Sequence, residues 1–149
     1  MDLKRLLLKP MNTLSGGELQ RVAIAHCLSQ DAELFLLDEP SAYLDVEQRL
    51  AVAKAIKELA EQREITILVV DHDLVFLDYL ADELMVFTGT PARTGKAEGP
   101  FVMEEGMNAF LREIDLTLRR DEESKRPRIN KPGSRLDREQ KESGKLYYS

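Results

Sequence analysis

The stretch Leu34-Phe35-Leu36-Leu37-Asp38-Glu39-Pro40 decides the fold of this chain. Its four apolar residues predict a short buried strand, and two carboxylates follow where that strand ends. A second apolar run, 65–70, is rich in β-branched residues, as is typical of a central parallel strand, and it is followed by Asp71-His72-Asp73. Because parallel sheets bind ligands at the carboxyl ends of their strands, these two strand ends form the candidate site.

Helical patterns alternate with these strands. Ser15 and Glu18 have the spacing of a capping box, and Asp45 can cap a later helix whose apolar residues recur at three- and four-residue steps. The expected elements are a mostly buried helix 15–29, strand 33–37, a helix from residue 45, strand 65–70, a short helix to residue 80 and strand 84–87. This order predicts an α/β fold with a largely parallel sheet and flanking helices.

The texture of the sequence changes after residue 87. Glycines and prolines predict a loop through residue 100, and 104–114 fits one further helix. From residue 119 onwards the chain is strongly charged and poor in apolar residues. We expect this segment to be irregular and ordered only where something packs on it.

Composition places the chain among soluble globular proteins. It has 149 residues, a formal net charge of −6 and 43% hydrophobic residues, and its apolar runs are too short to span a bilayer. The single cysteine, Cys27, excludes a disulfide framework and an all-cysteine metal or iron–sulfur site within these residues. We therefore expect a cytoplasmic setting and no membrane partner.

Charge is unevenly distributed along the chain. Residues 1–90 contain 8 Lys and Arg against 16 Asp and Glu, whereas residues 91–149 contain 13 against 11. The acidic part is expected to be a folded core with few nucleic-acid contacts. On charge alone, the basic part is either a solvated tail or a surface that contacts phosphate or an acidic protein face.

The residues at the two strand ends have the chemistry of a hydrolytic site. Asp38 can hold Mg²⁺, often through water, because this ion prefers oxygen ligands and keeps much of its hydration shell. Glu39 can orient or deprotonate an attacking water, and His72 can hydrogen-bond a phosphate oxygen. Taken singly, each has a plainer interpretation: the carboxylates can simply end a strand, and His72 can be a capping or surface histidine.

A pair of glycines opens the first helix, in the segment Leu14-Ser15-Gly16-Gly17-Glu18-Leu19-Gln20. Unobstructed backbone N–H groups, the serine hydroxyl and the positive end of the helix dipole together can bind an anion. A plain helix start would explain Ser15 and Glu18 but not the glycines, which are poor helix formers.

The order and spacing of these elements resembles the ATP-binding-cassette (ABC) superfamily. Residues 14–20 resemble its signature motif, 34–39 its Walker B strand with the catalytic glutamate, 41–45 its D-loop, and His72 its switch histidine. Residues 41–49, and the tail segments 126–131 and 137–144, resemble the ribosome-recycling ATPases, also called the RNase L inhibitor family. The resemblance covers about Leu14 to Tyr148 and corresponds to the later half of the second nucleotide-binding domain plus a C-terminal hinge.

The resemblance implies a role for each motif. In ABC proteins, two nucleotide-binding domains hold two ATP molecules between them. Asp38 would organise Mg²⁺, Glu39 would polarise the attacking water, and His72 would sense the γ-phosphate. The residues implied to contact the nucleotide held by the opposite domain, or to couple the two sites, are Ser15, Gly16, Gly17, Glu18 and Asp45.

The resemblance also divides the chain into three parts. Residues 1–90 would be a partial nucleotide-binding domain, 91–118 a loop and helix that complete it, and 119–149 a basic hinge. The hinge residues implied are Arg126, Arg128, Lys131 and Arg138. We expect the hinge to pack between the two nucleotide-binding domains, with direct contact to ribosomal RNA as the weaker alternative.

A P-loop, Gly-x-x-x-x-Gly-Lys-Ser/Thr, does not occur in these 149 residues. We therefore expect negligible ATPase activity from the chain alone and regard it as part of a larger ATPase. The implied partners are a P-loop-bearing half, the other nucleotide-binding domain, the small ribosomal subunit and release or recycling factors. The implied cofactors are ATP and Mg²⁺, without an iron–sulfur cluster in this chain.

Two other interpretations remain open at this stage. One is the C-terminal lobe of another ABC-type ATPase that acts in DNA repair or chromosome maintenance, where the signature and Walker B also lie together. Such lobes follow a long coiled coil, and no heptads are visible before Leu14. The other is a non-enzymatic binding module that regulates a partner.

Overall fold

The computed structural model describes residues 3–121 and 127–147. The chain divides into two compact units, Met1–Leu80 and Ala81–Ser149. The second unit starts just before a β-hairpin, whose two strands pair with each other and so belong together. The functional division at residues 90 and 118 stays a prediction.

The first unit alternates helices and strands in the predicted order. Two short 3₁₀ turns, Lys4–Leu6 and Met11–Thr13, precede its first α-helix. Its elements are α1 (Gly16–Leu28), β1 (Leu34–Asp38), α2 (Val46–Arg63), β2 (Thr66–Val70) and α3 (Leu74–Leu80). β1 and β2 pair in parallel, in a register that runs from Leu34 opposite Thr66 to Asp38 opposite Val70. The α/β fold class is thereby confirmed, and so are the predicted positions of these five elements.

Side chains alternate between the two faces of this small sheet. Phe35 and Leu37 are buried, and they belong to a core that α1, α2 and α3 complete. On the other face, Leu36 of β1 and Leu68 of β2 lie opposite each other and are 66% and 46% exposed. The expectation that 34–37 is a buried strand therefore does not hold on this face within the described residues. α1 is also less buried than predicted, because Ile24 and Leu28 are its buried side chains.

The ends of α2 follow the local sequence. The Asp45 carboxylate accepts a hydrogen bond from the Gln48 N–H at 2.9 Å, so the predicted cap is confirmed. The helix ends at Glu64, which has the left-handed backbone conformation with φ of 54°. The Glu64 N–H donates to the carbonyl of Ala60, which satisfies one of the last helical acceptors.

The second unit contains an antiparallel hairpin that the sequence analysis missed. Its strands are β3 (Glu83–Thr90) and β4 (Thr94–Val102), followed by α4 (Met103–Glu113). The expected loop through residue 100 is therefore largely a strand. Gly95 pairs with Gly89, whose φ of 141° brings the strands so close that a side chain there would meet the Thr94 carbonyl. Gly106 of α4 likewise gives room for Leu84.

The described part of residues 119–149 is more regular than predicted. β5 (Leu118–Arg120) pairs antiparallel with β6 (Pro127–Ile129), and α5 covers Arg135–Ser143. Of the three ladders, β1–β2 is the parallel one, and the two in this unit are antiparallel. The order after residue 118 comes from buried side chains far apart in the sequence, which a local reading of charge and proline content does not reveal.

Four buried polar side chains form one hydrogen-bonded network in this unit: Thr117, Asn130, Asp137 and Gln140. The Thr117 hydroxyl donates to Asp137 Oδ1 at 2.7 Å, and Asn130 Nδ2 donates to Thr117 Oγ1 at 2.9 Å and to Gln140 Oε1. Gln140 Nε2 donates to the Leu118 carbonyl at 3.0 Å, which ties α5 to β5. We call these four residues the polar core.

Leu118, Leu146 and Tyr147 add apolar burial beside the polar core. The Leu118 N–H donates to the Leu146 carbonyl at 2.7 Å, and the amides of Leu146 and Tyr147 donate to Asn108 Oδ1 of α4. Leu146 and Tyr147 are thus fastened to β5 and α4. Among the described helices, none is both long and apolar enough for a bilayer crossing.

Candidate functional site

The ends of β1 and β2 bring two of the predicted site residues together. The Glu39 N–H donates to the Val70 carbonyl at 2.7 Å, which ties the two strand ends. Glu39 Oε1 lies 3.6 Å from His72 Nδ1, and the side chains are 58% and 77% exposed. A carboxylate and an imidazole therefore share one solvent-accessible strand edge, as the sequence predicts for this end of a parallel sheet.

Glu39 reaches this place through an unusual backbone conformation. Its φ of 46° lies in the left-handed region, which is uncommon for a residue with a side chain. Such conformations cost about 1–3 kcal/mol and persist where the surrounding structure holds them. Here the Val70 carbonyl holds the Glu39 amide, and the Glu39 carbonyl accepts from the Ala42 N–H at 3.1 Å.

Asp38 is the last residue of β1 and is exposed. In residues 3–121 and 127–147, no group of three or more His, Cys, Asp or Glu side chains could hold a metal ion. A single exposed carboxylate next to Glu39 does fit Mg²⁺, which commonly keeps several waters and takes its other ligands from substrate phosphates. The donor set does not fit a metal that needs an all-protein cage.

The start of α1 is a complete capping box, as predicted. The Ser15 N–H donates to Glu18 Oε2 at 2.8 Å, and the Glu18 N–H donates to Ser15 Oγ at 3.3 Å. Lys9 Nζ lies 2.7 Å from Glu18 Oε1. The hydrogen bond from Lys9, followed by that from the Ser15 amide, lowers the pKa of the Glu18 carboxyl from 4.5 to about 2. Glu18 thus stabilises the helix start as a carboxylate.

The two glycines of this helix have different surroundings. A Cβ atom on Gly17 would lie 2.8 Å from the Tyr43 carbonyl oxygen and 3.1 Å from Gln48 Oε1. A Cβ atom on Gly16 would instead be in ordinary contact, 3.4 Å from the Tyr43 ring. Glycine at position 17 therefore allows the backbone at Tyr43 to approach α1. This is a packing reason for the glycine, in addition to the anion-binding reason given by the sequence.

Gln20 belongs to the signature-like segment, but its contact with the strand end was not predicted. Its Nε2 atom donates to the carbonyl of Glu39 at 3.2 Å and to that of Pro40 at 3.4 Å. It lies one helical turn after Gly16, on the same face of α1, and that spacing was the available signal. Gln20 connects α1 directly to the backbone that carries Glu39.

The segment that resembles a D-loop, Ser41 to Asp45, is held by the turn that follows β2. Asp71 binds Ser41, and Asp73 caps α3 by accepting from the amides of Val75 and Phe76. At its centre, Tyr43 has φ of 61° and is 81% exposed. The loop therefore has fastened ends and an exposed aromatic tip.

The predicted hinge residues belong to the second unit. Arg128 Nε lies 3.0 Å from Asp121 Oδ2, with its side chain 58% exposed. Lys131 and Arg138 are also exposed. Arg126 lies outside the described residues.

Known proteins resemble this chain over nearly its whole length. The family model described as ABC transporter matches residues 1–42. An uncharacterised ABC transporter ATP-binding protein of Methanocaldococcus jannaschii is 53% identical over 99% of the chain and 25% of its own length. The translation initiation factor RLI1 of Saccharomyces cerevisiae is 47% identical over 91% of the chain and 22% of its own length.

A solved structure extends this likeness to the fold. The archaeal ribosome recycling factor aABCE1, crystallised in complex with the archaeal ribosomal stalk protein aP1, is 57% identical with a TM-score of 0.84. The match covers 99% of this chain and 30% of that one, so it also includes residues before Leu14, which the sequence analysis left outside the resemblance. The chain spans about a quarter of the length of the curated relatives that it matches.

Proposed function

The chain belongs to the ribosome-recycling ATPases of the ABC superfamily, the RNase L inhibitor family, and we propose that it works within a larger ATPase that splits ribosomal subunits. In this proposal it supplies the signature, Walker B, D-loop and switch histidine of the second nucleotide-binding domain, together with the C-terminal hinge. ATP binding and hydrolysis would drive the closure that separates the subunits.

The observation that carries the proposal is the approach of Glu39 to His72 at the ends of two neighbouring parallel strands. Glu39 has an exposed carboxylate that can accept a hydrogen bond from a water molecule and take up its proton as the water attacks the phosphorus. His72 donates a hydrogen bond to a γ-phosphate oxygen from the same strand edge, where its Nδ1 lies 3.6 Å from the Glu39 carboxylate. Positioning of this kind is most of what phosphoryl transfer requires.

Asp38 would hold Mg²⁺ through water at the same strand end. When bound, this ion neutralises the charge that develops on the phosphate oxygens. ATP is the nucleotide, and Ser15, Gly16 and Gly17 present a helix start to the γ-phosphate of the ATP held by the opposite domain. Glu18 keeps this helix start formed through the capping box, and Asp45 couples the two sites where the D-loop enters α2.

The hinge and the partners follow from the same proposal. Arg128, Lys131 and Arg138 are exposed cations that can contact an acidic surface of the other nucleotide-binding domain, and Arg126 is assigned with them from the sequence. The archaeal relative was crystallised with a ribosomal stalk protein, which supports a ribosomal partner for this chain. The proposed partners are the small ribosomal subunit and release or recycling factors. These partners imply a cytoplasmic location.

The test compares the isolated chain with an assembled ATPase. We expect no Mg²⁺-ATP turnover from the 149 residues alone, because they contain no P-loop to hold the phosphates. Adding the P-loop-bearing part of the same domain and the other nucleotide-binding domain should restore turnover. The other domain carries a replacement of its own hydrolytic carboxylate, so that the measured activity belongs to this site.

In that assembly, Glu39→Gln should lower turnover about 10²- to 10⁴-fold, the usual loss for a general base. Glu58→Gln, on the exposed surface of α2, is the matched control and should leave turnover unchanged. Turnover by the chain alone that Glu39→Gln abolishes would contradict the predicted inactivity. An assembly that forms but remains inactive would instead favour the non-enzymatic binding module.

A further inference from the structure

One end of the D-loop is fastened to the residue that precedes His72. The Ser41 N–H donates to Asp71 Oδ2 at 3.0 Å, and the Ser41 hydroxyl donates to Asp71 Oδ1 at 2.8 Å. Asp71 Oδ1 also accepts from the Asp73 N–H at 2.9 Å, which closes the turn around His72. Ser41 is 1% exposed, so these charge-assisted bonds are shielded from water at the serine end.

The other end of the D-loop is fastened to the residue that follows His72. Arg49 Nε donates to the Leu44 carbonyl at 2.9 Å, and its guanidinium also pairs with the Asp73 carboxylate. The Asp73 side chain is 14% exposed, and its other oxygen caps α3. Leu44 is 4% exposed and belongs to the core, so this end of the loop has little freedom to move.

The two residues that hold the ends of the D-loop lie on either side of His72 in the sequence, an arrangement that a purely structural role does not require. The aspartates at 71 and 73 hold the two ends of the D-loop, and the residue between them is His72, which is 77% exposed. The D-loop likewise has an exposed centre, Tyr43, between fixed ends. Two solvent-facing groups are therefore joined by short chains of hydrogen bonds through partly buried side chains, and such chains can carry a displacement from one turn to the other.

We propose that Asp71 and Asp73 are positioning residues that transmit the state of the phosphate at His72 to the D-loop, and through it to the opposite nucleotide site. This inference rests on the proposed function, because it needs two sites. Asp71 is the stronger connection, since its carboxylate holds the backbone and the hydroxyl of Ser41 together. Asp73 acts through Arg49 and is the second connection.

The experiment uses the assembled ATPase with this chain's own site silenced by Glu39→Gln and the other domain left intact. The remaining turnover then belongs to the opposite site, which neither Asp71 nor Ser41 is expected to touch. Asp71→Asn keeps the size of the side chain but places an amide donor against the Ser41 or Asp73 N–H. Ser41→Ala removes the hydroxyl bond alone and leaves the backbone bond in place.

In the Glu39→Gln background, Asp71→Asn should lower the maximal turnover of the opposite site about tenfold, and Ser41→Ala about threefold, in the range of measured coupling between sites. Asp31→Asn, on an exposed loop, is the control and should change nothing. Thermal unfolding of each assembly shows whether it is folded at the assay temperature. Should Asp71→Asn not assemble, the Ser41→Ala result decides.

Unchanged turnover of the opposite site in both variants would overturn the proposal, and so would a loss seen only when this chain's own site is active. In either case Asp71 would serve its own site alone. If the assembly without any replacement shows no turnover, the proposed function itself fails, and the inference fails with it. The turnover of the assembly without substitutions therefore distinguishes failure of the proposed function from failure of this inference alone.

Discussion

The two units of this protein use polar side chains in opposite ways. In the first, Glu39 and His72 are more than half exposed at a strand edge. In the second, the polar core is at most 3% exposed and its side chains bond mainly with one another. Groups that bind a ligand must remain accessible to solvent, whereas polar groups that hold a fold together are buried and mostly hydrogen-bonded, although Asn130 Oδ1 has no partner among the described residues.

This difference decides which replacements affect the fold and which affect the chemistry. The polar core connects α5 with the residues that flank β5 and β6, and all three elements are short in themselves. The strand edge of the first unit acts on a stable core of apolar residues that lies beneath it. Loss of a side chain from the polar core should therefore destabilise the second unit. Loss of Glu39 or His72 should leave the first unit folded but remove its proposed activity.

The largest effect on stability is expected at Gln140, which is 1% exposed. Gln140→Leu has a similar volume but leaves the Leu118 carbonyl without its donor and Asn130 Nδ2 without one acceptor. Each buried group left unsatisfied costs about 1–3 kcal/mol, so the free energy of unfolding should fall by about 3 kcal/mol. Chemical denaturation followed by circular dichroism measures this change.

The control for Gln140 is Glu142→Leu, an exposed position of the same helix. It should change the free energy of unfolding by less than about 0.5 kcal/mol, as surface substitutions usually do. If Gln140→Leu and Glu142→Leu change the free energy of unfolding equally, the polar core does not hold this unit together.

A smaller effect is expected from the paired glycines in the first unit. Gly17→Ala forces a methyl group against the Tyr43 carbonyl, a backbone atom that cannot rotate away, and should cost about 2 kcal/mol. Gly16→Ala makes an ordinary contact with the Tyr43 ring and should change stability by less than about 1 kcal/mol. Thermal unfolding of the two variants compares them directly, and the reverse order would contradict the packing role of Gly17.

The success of sequence analysis also differs between the two units. In the first, local signals were sufficient: the capping box at Ser15, the cap at Asp45 and the apolar runs that end at Asp38 and Asp71 each lie within a few residues. The family resemblance added the roles. The links from Gln20 to Glu39 and from Asp71 to Ser41 were not predictable, because the partners are 19 and 30 positions apart.

In the second unit, local signals were misleading. Gly95, Gly99 and Pro100 indicated a loop, yet Gly99 suits β4 because a side chain there would meet the Leu84 carbonyl of the partner strand. The low apolar content after residue 118 indicated irregular structure, yet polar side chains fill part of that interior. Buried hydrogen bonds between residues such as Thr117 and Asp137 depend on the completed fold, so no short window of sequence contains them.

The smallest expected effect is the response to acid, and it has the same sign in both units. The pKa of Glu18 is about 2 against 4.5 for a free carboxyl, so its contribution to stability is complete above pH 4.5 and is lost as the pH falls towards 2. The Gly133 amide, followed by the Thr117 hydroxyl, lowers the pKa of Asp137 below 3.8, so its contribution is also lost in acid.

Glu18→Gln should therefore destabilise the protein at pH 6 but much less at pH 2.5. Urea denaturation at the two pH values measures the difference between the parent chain and the variant. A difference that stays constant with pH would show that the Glu18 charge does not contribute to the helix start.

The backbone at Glu39 has a consequence for how this sequence can vary. At Glu64, which also has positive φ, a glycine would relieve strain, and no site chemistry depends on the side chain. At Glu39 the same change would relieve strain and remove the carboxylate. Under the role proposed for Glu39, selection for stability and selection for activity therefore act on this position in opposite directions, and a lineage released from the second should lose Glu39 early.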